Sequence, residues 1–154
     1  MRDSGVADCL ACQLSNGERD LPGGVIHQSK FWRVEHCVGP LGLGTLIVKP
    51  IRHVTSVAAL HDAEVIELGP LLWRTSVIAG QLVDAEQVYN CLWSHAGGEP
   101  VHIHYVVQPV TRQQMSAFGA HGPKLQAAMF AAGLPPCRED VDRLAAAARE
   151  RFSE

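Results

Sequence analysis

No stretch of this 154-residue chain approaches the roughly 18 apolar residues that a membrane-spanning helix needs. The N-terminus, residues 1–8, also lacks a basic region followed by an apolar run, so no secretory leader is expected and the chain reads as cytoplasmic. Surplus positive charge is missing too: 13 Lys and Arg stand against 16 Asp and Glu, a formal net charge of −3. That balance provides no electrostatic footprint for nucleic acid or an anionic membrane, and neither partner is expected. Repeats, low-complexity tracts and linkers are absent, which at this length argues for one domain.

What is present is an ordinary folding composition, 47% hydrophobic and 19% charged, with some excess of Gly and Pro. Two features stand out against it. Five cysteines are an odd number in a chain long enough to fold without disulfides, and Cys9 and Cys12 form a Cys-x-x-Cys pair that suggests metal or redox chemistry in a reducing compartment. Eight histidines are also many for the length.

Local patterning outlines the elements. Residues 7–14 around the cysteine pair form a short helix or turn, stopped by Ser15-Asn16-Gly17. Residues 25–27 and 31–38 are β-branched and aromatic strands joined by a hairpin at Gln28-Ser29-Lys30, and residues 45–48 form a third strand closed by Pro50. From Asp62 to about Asp84, apolar residues recur near a 3.6 period, with Asp62 and Glu64 at the favoured end of the helix dipole. One long helix is expected, kinked or restarted at Gly69-Pro70. Residues 87–93 and 101–108 are two further strands. Beyond Thr111, Leu125, Ala128, Met129 and Ala132 form one helical stripe, and Val141, Leu144, Ala145, Ala148 and Phe152 another. The sum is an α+β domain: an antiparallel sheet of about five strands, one long helix and a helical tail.

The most informative stretch runs from Pro100 to Gln108. On a strand, alternate residues share a face, so His102, His104, Val106 and Gln108 would project one way and Val101, Ile103, Tyr105 and Val107 into the core. Two imidazoles about 6–7 Å apart on rigid backbone are either a polar outer face or part of a site.

Here the chain resembles the histidine-triad (HIT) superfamily, which includes nucleotide hydrolases and, more distantly, galactose-1-phosphate uridylyltransferase. The resemblance rests on His102-Ile103-His104-Tyr105-Val106-Val107, led in by Ala96-Gly97-Gly98-Glu99-Pro100-Val101. It rests also on Gly44-Thr45-Leu46-Ile47-Val48-Lys49-Pro50-Ile51-Arg52-His53 and on the Cys-x-x-Cys start, and covers roughly residues 9–109. It implies a HIT-like domain over residues 1–110; the tail from Thr111 is outside the resemblance, and residues 111–154 are read from their stripes as a helical extension of the same domain. It implies a zinc ion, structural in role, on Cys9, Cys12, His53 and His102; the alternative is reduced thiols beside a structural histidine. It implies that His104 attacks the α-phosphorus of a nucleotide and carries the nucleotidyl group, which needs one ring nitrogen free and the other N–H pinned. The backbone of Gly97 and Gly98, with Glu99 beside them, could offer N–H groups to phosphate, or simply close a hairpin. Homodimerisation through the long helix and a strand edge is a further implication.

The departures are specific. Val106 stands where the resembling hydrolases carry a third histidine and the uridylyltransferase branch glutamine, and valine neither protonates a leaving group nor donates a hydrogen bond. Gln108, on the same expected face, and His95, in the preceding loop, are the candidates to replace it. The acidic residue that holds ribose hydroxyls in the family aligns near Cys37, and the polar residue near phosphate near Cys91 or the adjacent Asn90. The expectation is therefore a zinc-containing nucleotidyl hydrolase or transferase acting on a phosphate ester, anhydride or phosphoramidate. The alternative is a HIT-fold zinc- or ligand-binding module whose catalytic machinery has eroded. A Cys-x-x-Cys redox protein is disfavoured because the motif lacks a βαβ setting.

Overall fold

The structure, a computed structural model, describes residues 8–154. Ala7, where the first element was expected to begin, lies outside them, as do residues 1–7 of the segment read as free of a leader. The order of elements is α1 (Leu10–Ser15), β1 (Val25–Gln28), β2 (Trp32–His36), β3 (Leu46–Pro50), a 3-10 turn (Val57–Ala59), α2 (Asp62–Leu82) and β4 (Gln87–Leu92). The short strands β5 (His95–Ala96) and β6 (Glu99–Pro100) follow, then β7 (Tyr105–Val110), α3 (Arg112–Phe118), α4 (Gly122–Ala132) and α5 (Arg138–Ser153). Five strands form one antiparallel sheet in the order β1-β2-β3-β7-β4, and β5 and β6 form a separate hairpin. No helix among the described residues is long and apolar enough to cross a membrane.

Strand alternation assigns the two faces of the sheet to different partners. Trp32, Val34, Leu46, Val48 and Val107 point to one face, where they pack with Leu71, Ile78 and Ala79 of α2 and with Leu144, Ala145, Ala148 and Phe152 of α5. Ile47, Val106 and Val110 point to the other, where Leu41 and the α4 residues Leu125 and Met129 meet them. The helical tail thus divides between the faces. The turn before β1 seats α5 closely: a Cβ on Gly23 would lie 2.6 Å from that of Ala145, and φ there is +78°. The Gly23 N–H donates to Asp142 Oδ1 at 2.8 Å and its carbonyl accepts from Arg149 Nη1 at 2.6 Å.

Two expectations are corrected. Helix α2 runs unbroken through Pro70, with no restart. The proline removes only the bond to the Ile66 carbonyl, on a residue 75% exposed, and buried residues on both sides of it hold the helix to the sheet. The entrance is fixed by the His61 N–H donating to Glu64 Oε2 at 2.7 Å, while the Glu64 carbonyl accepts from the Trp32 indole at 2.8 Å.

The second correction concerns the histidine-bearing segment. The last strand spans Tyr105–Val110, so residues 101–104 precede the ladder instead of belonging to it. Pairing to β3 ends at Val48↔Tyr105 and to β4 at Leu92↔Tyr105. Before that point single ties replace it: the Ile103 N–H donates to the Val54 carbonyl and the Val101 N–H to the Ser94 carbonyl, at 2.8 and 3.1 Å. Ile103 is nonetheless fully buried, so packing as well as these ties anchors the segment.

Candidate functional site

The four sulfur- and nitrogen-bearing side chains singled out as a ligand set converge. One ligand atom each from Cys9, Cys12, His53 and His102 lies within 4.8 Å of every other. Cys9 and Cys12 come from the start of α1, His53 from the turn after β3, and His102 from the lead-in to β7. Cys12 Sγ stands 3.3 Å from His53 Nδ1 and 3.5 Å from His102 Nδ1. The Nε2–H of His102 donates to the Pro50 carbonyl at 2.9 Å, which places the lone pair on Nδ1, facing the cluster. Burial drives the His102 imidazole down to about 4, so it is neutral, as a ligand must be. Burial, reinforced by Cys9, pushes the Cys12 thiol up to about 11. Crowded donors of this kind are relieved by a cation, which turns thiols into thiolates. The Cys2His2 donor set, the spacing and the fixed tautomer all suit zinc.

His104 stands two residues on and behaves differently. Its Nδ1 lies 3.0 Å from the His102 carbonyl. A carbonyl only accepts, so Nδ1 carries the proton and Nε2 keeps the lone pair. The side chain is half-buried and lines a cavity of about 820 Å³ on the open face of the sheet. The structure therefore links the two histidines in series: the imidazole of His102 is tied to Pro50 and the metal cluster, and its carbonyl orients His104.

Of the remaining expected residues, His95 and Cys37 line this cavity, as does Val106 at the third triad position, and the others do not. Burial raises the Cys37 thiol, although the Gly39 N–H at 3.3 Å opposes the rise. Gly97 and Gly98 close the β5–β6 hairpin with φ of +60° and +87°, as a tight two-residue turn requires, and with Glu99 they are exposed. Asn90 sits on the opposite face, its amide donating to Ser76 Oγ of α2 at 3.0 Å. Cys91 Sγ is 3.5 Å from Gln126 Nε2. Gln108 is fully buried: its amide donates to the Leu41 carbonyl at 3.2 Å and its Oε1 accepts from Gln126 at 2.9 Å. It ties α4 to the sheet and has no path to a group held at His104. Val106, at the third triad position, is buried in the apolar cluster under α4.

Two polar residues of the cavity were missed. Glu35 and Lys49, on β2 and β3, form an ion pair of 2.6 Å with side chains 3% and 1% exposed. Lys49 Nζ also donates to the Ala11 carbonyl of α1 at 2.9 Å. The available signal was Lys49 inside the otherwise apolar β3 and Glu35 inside β2, on the face that Ile47 and Val106 share. Helix α4 adds Gln126 and Phe130 to the wall.

No protein-family model and no curated protein sequence matches this chain. Solved structures do. A HIT-like protein involved in cell-cycle regulation from Bartonella henselae superimposes with a TM-score of 0.68 at 11% identity, covering 94% of this chain and 96% of that one. A hypothetical histidine triad nucleotide-binding protein from Sulfolobus tokodaii gives 0.70 at 18% identity, covering 94% and 92%. A zinc-bound histidine triad family protein from Mycobacterium smegmatis gives 0.67 at 18% identity, covering 97% and 98%. Coverage of this extent carries the likeness past residue 109, where the motifs end, into the helical tail. With its antiparallel five-stranded sheet, long helix and Cys/His cluster in place, the chain has the α+β fold of the histidine-triad (HIT) proteins.

Proposed function

We propose that this chain is a nucleotidyl hydrolase or transferase in which His104 is the nucleophile, with zinc held on Cys9, Cys12, His53 and His102 in a structural role. The observation that carries the reading is the His104 Nδ1 contact to the His102 carbonyl, which fixes one tautomer and leaves a nucleophilic Nε2 on a cavity wall. Attack by Nε2 on phosphorus breaks the bond to the leaving group, which departs with a proton, and forms a nucleotidyl-imidazole. Water or a second acceptor then attacks phosphorus, regenerates the imidazole and surrenders its own proton. The proton donor is assigned to His95 on the β5–β6 hairpin, because Val106 has none to give and Gln108 is sealed under α4. Zinc, once bound, supplies folding free energy and stiffens the backbone that presents His104. The likeness to a zinc-bound protein and to one named for nucleotide binding supports both parts.

A homodimer is part of the proposal. Ile66, Trp73 and Val77 recur at helical spacing on the outer face of α2 and are 75%, 70% and 38% exposed, beside β4 at the sheet edge. Trp73→Glu is expected to convert a dimer to a monomer in sedimentation, and a wild-type monomer would refute this part.

The deciding experiment is intact-protein mass spectrometry after incubation with nucleotide phosphoramidates, dinucleoside polyphosphates and nucleotide sugars. The expected result is a nucleotidyl adduct on the wild type and none on His104→Gly. A zinc-loaded protein with neither adduct nor turnover would instead leave a ligand-binding module, the reading favoured by the apolar packing of Val106.

A further inference from the structure

A row of hydrogen-bonded groups crosses the sheet beneath α4. The Gln108 amide donates to the Leu41 carbonyl at 3.2 Å and to Met129 Sδ at 3.4 Å, so its oxygen faces the other way. That oxygen accepts from Gln126 Nε2 at 2.9 Å, and the same nitrogen lies 3.5 Å from Cys91 Sγ. Both amides are thereby fixed in orientation, and the free end of the row is Gln126 Oε1. This oxygen has no hydrogen-bond partner among the described residues, although Gln126 is only 8% exposed. The shielded side-chain atoms left without a partner among those residues are Glu35 Oε2 and Thr75 Oγ1, so Gln126 Oε1 keeps its access to the cavity that the residue lines. An acceptor on a mostly buried side chain, opening on a cavity, is set for a donor that arrives there.

We infer that Gln126 is a specificity residue whose Oε1 accepts a hydrogen bond from an uncharged N–H or O–H on the leaving group. The row sets the side. It runs from Leu41, between β2 and β3, across β7 to Cys91 on β4, and Gln126 is its member nearest β4. His95, the assigned proton donor, follows Cys91 by four residues, so the amide and the leaving-group chemistry both lie toward β4. Cys91 pairs with Val106, two residues beyond His104 and about 7 Å along the strand, so the donor belongs several bonds from phosphorus. Charge narrows the class further. Among the described residues Lys49 is the only Lys or Arg lining the cavity, and it is committed to Glu35 and the Ala11 carbonyl. An anionic leaving group would meet an acceptor with no Lys or Arg to balance it, whereas a neutral donor finds a partner. This inference rests on the proposal that His104 forms a nucleotidyl intermediate. It brings the helical extension, which lies beyond the motif-bearing residues, into the site.

The test compares adenosine 5′-phosphoramidates of glycinamide, N,N-dimethylglycinamide and glycine on the full zinc-loaded chain. The first carries neutral donors several bonds from phosphorus, the second lacks them, and the third replaces them with a carboxylate. For the wild type, kcat/KM is expected to favour the glycinamide compound over each of the others by roughly tenfold or more. In Gln108→Leu/Gln126→Leu, which strands no amide under α4, the preference over the dimethyl compound is expected to fall to about one. Gln126→Lys is expected to reverse the order and favour the glycine compound, a change that lost stability cannot produce. Equal kcat/KM for the three in the wild type, or the wild-type ratios retained in both variants, would overturn the inference. Calorimetric binding of the same compounds separates it from the wider reading. A Gln126-dependent preference with no adduct on His104 sustains the acceptor and removes the nucleotidyl enzyme. An adduct without that preference does the reverse, and the absence of both binding and turnover overturns the two together.

Discussion

The two faces of the sheet are built from the same strands and behave as opposites. On the face under α2 and α5, Trp32, Val34, Leu46, Val48 and Val107 are all buried and apolar, and helices close over them completely. On the other, the alternate residues of those strands include Arg33, Glu35, Ile47, Lys49, Val106 and Gln108, and α4 covers only part of them. There a cavity of about 820 Å³ remains, with the Cys/His cluster at its rim and His104 in its wall. The apolar face supplies the burial that makes the sheet rigid, and the polar face depends on that rigidity. It holds groups that lose hydration on folding and are stable only while their partners stay in register.

The sharpest way to break this contrast is at the cluster. Structural zinc sites carry roughly 10 kcal/mol or more of apparent binding free energy, so Cys12→Ser is expected to abolish zinc loading and produce the largest fall in melting temperature of any substitution here. Metal analysis and calorimetry would check it, and an unchanged melting temperature would remove zinc from the account. Next is the ion pair. Lys49→Met leaves the Glu35 carboxylate alone in a dry site and should cost about 3–5 kcal/mol in urea unfolding, whereas Glu35→Leu/Lys49→Met should lie near the wild type.

The apolar face should respond differently. Leu144→Ala is expected to cost about 2–5 kcal/mol through the cavity it leaves, with zinc content and His104 reactivity intact. Gly23→Ala should cost about 1–2 kcal/mol for the left-handed backbone alone, with a further penalty for displacing Ala145. The smallest effect is a pH dependence at the seam between the faces. His36 is buried, its Nδ1–H donates to the Cys37 carbonyl, and its Nε2 accepts from the Gly44 N–H at 3.0 Å. Burial lowers its proton affinity below the ordinary 6.5, so below that pH the unfolded chain binds a proton the folded one refuses. Stability is therefore full above about pH 6.5 and falls as the solution is acidified toward the lowered folded value. His36→Gln should flatten that part of the stability profile, and an identical profile in the variant would reject the assignment.

Legibility followed the range of the interactions involved. Strand and helix positions were readable because alternation and the 3.6 period are local, and α2 and the α4 and α5 stripes fell where their apolar residues recur. The start of β7 was misplaced because the ladder there is ended by its neighbours: Val101–His104 read as strand, yet β3 and β4 both stop pairing at Tyr105. Cys9, Cys12, His53 and His102 could be named together because they match a family pattern, while their convergence is a matter of folding. The burial of Gln108 was not legible because the sequence carries no record of α4 crossing it, and Glu35 and Lys49 were overlooked because each alone resembles an ordinary charged residue on a half-exposed strand.

The sequence by itself determined the α+β class, the long helix, the identity of the sulfur and imidazole donors, and the valine at the third triad position, since each is written in residue type or short-range period. Only the tertiary structure decided that His104 is held in one tautomer by the carbonyl of His102, that Gln108 is sealed away, and that a carboxylate oxygen of Glu35 is buried with no hydrogen-bond partner among the described residues. Those facts depend on which distant segments exclude water from a given atom, and desolvation is a property of the packed molecule that no single stretch of chain carries.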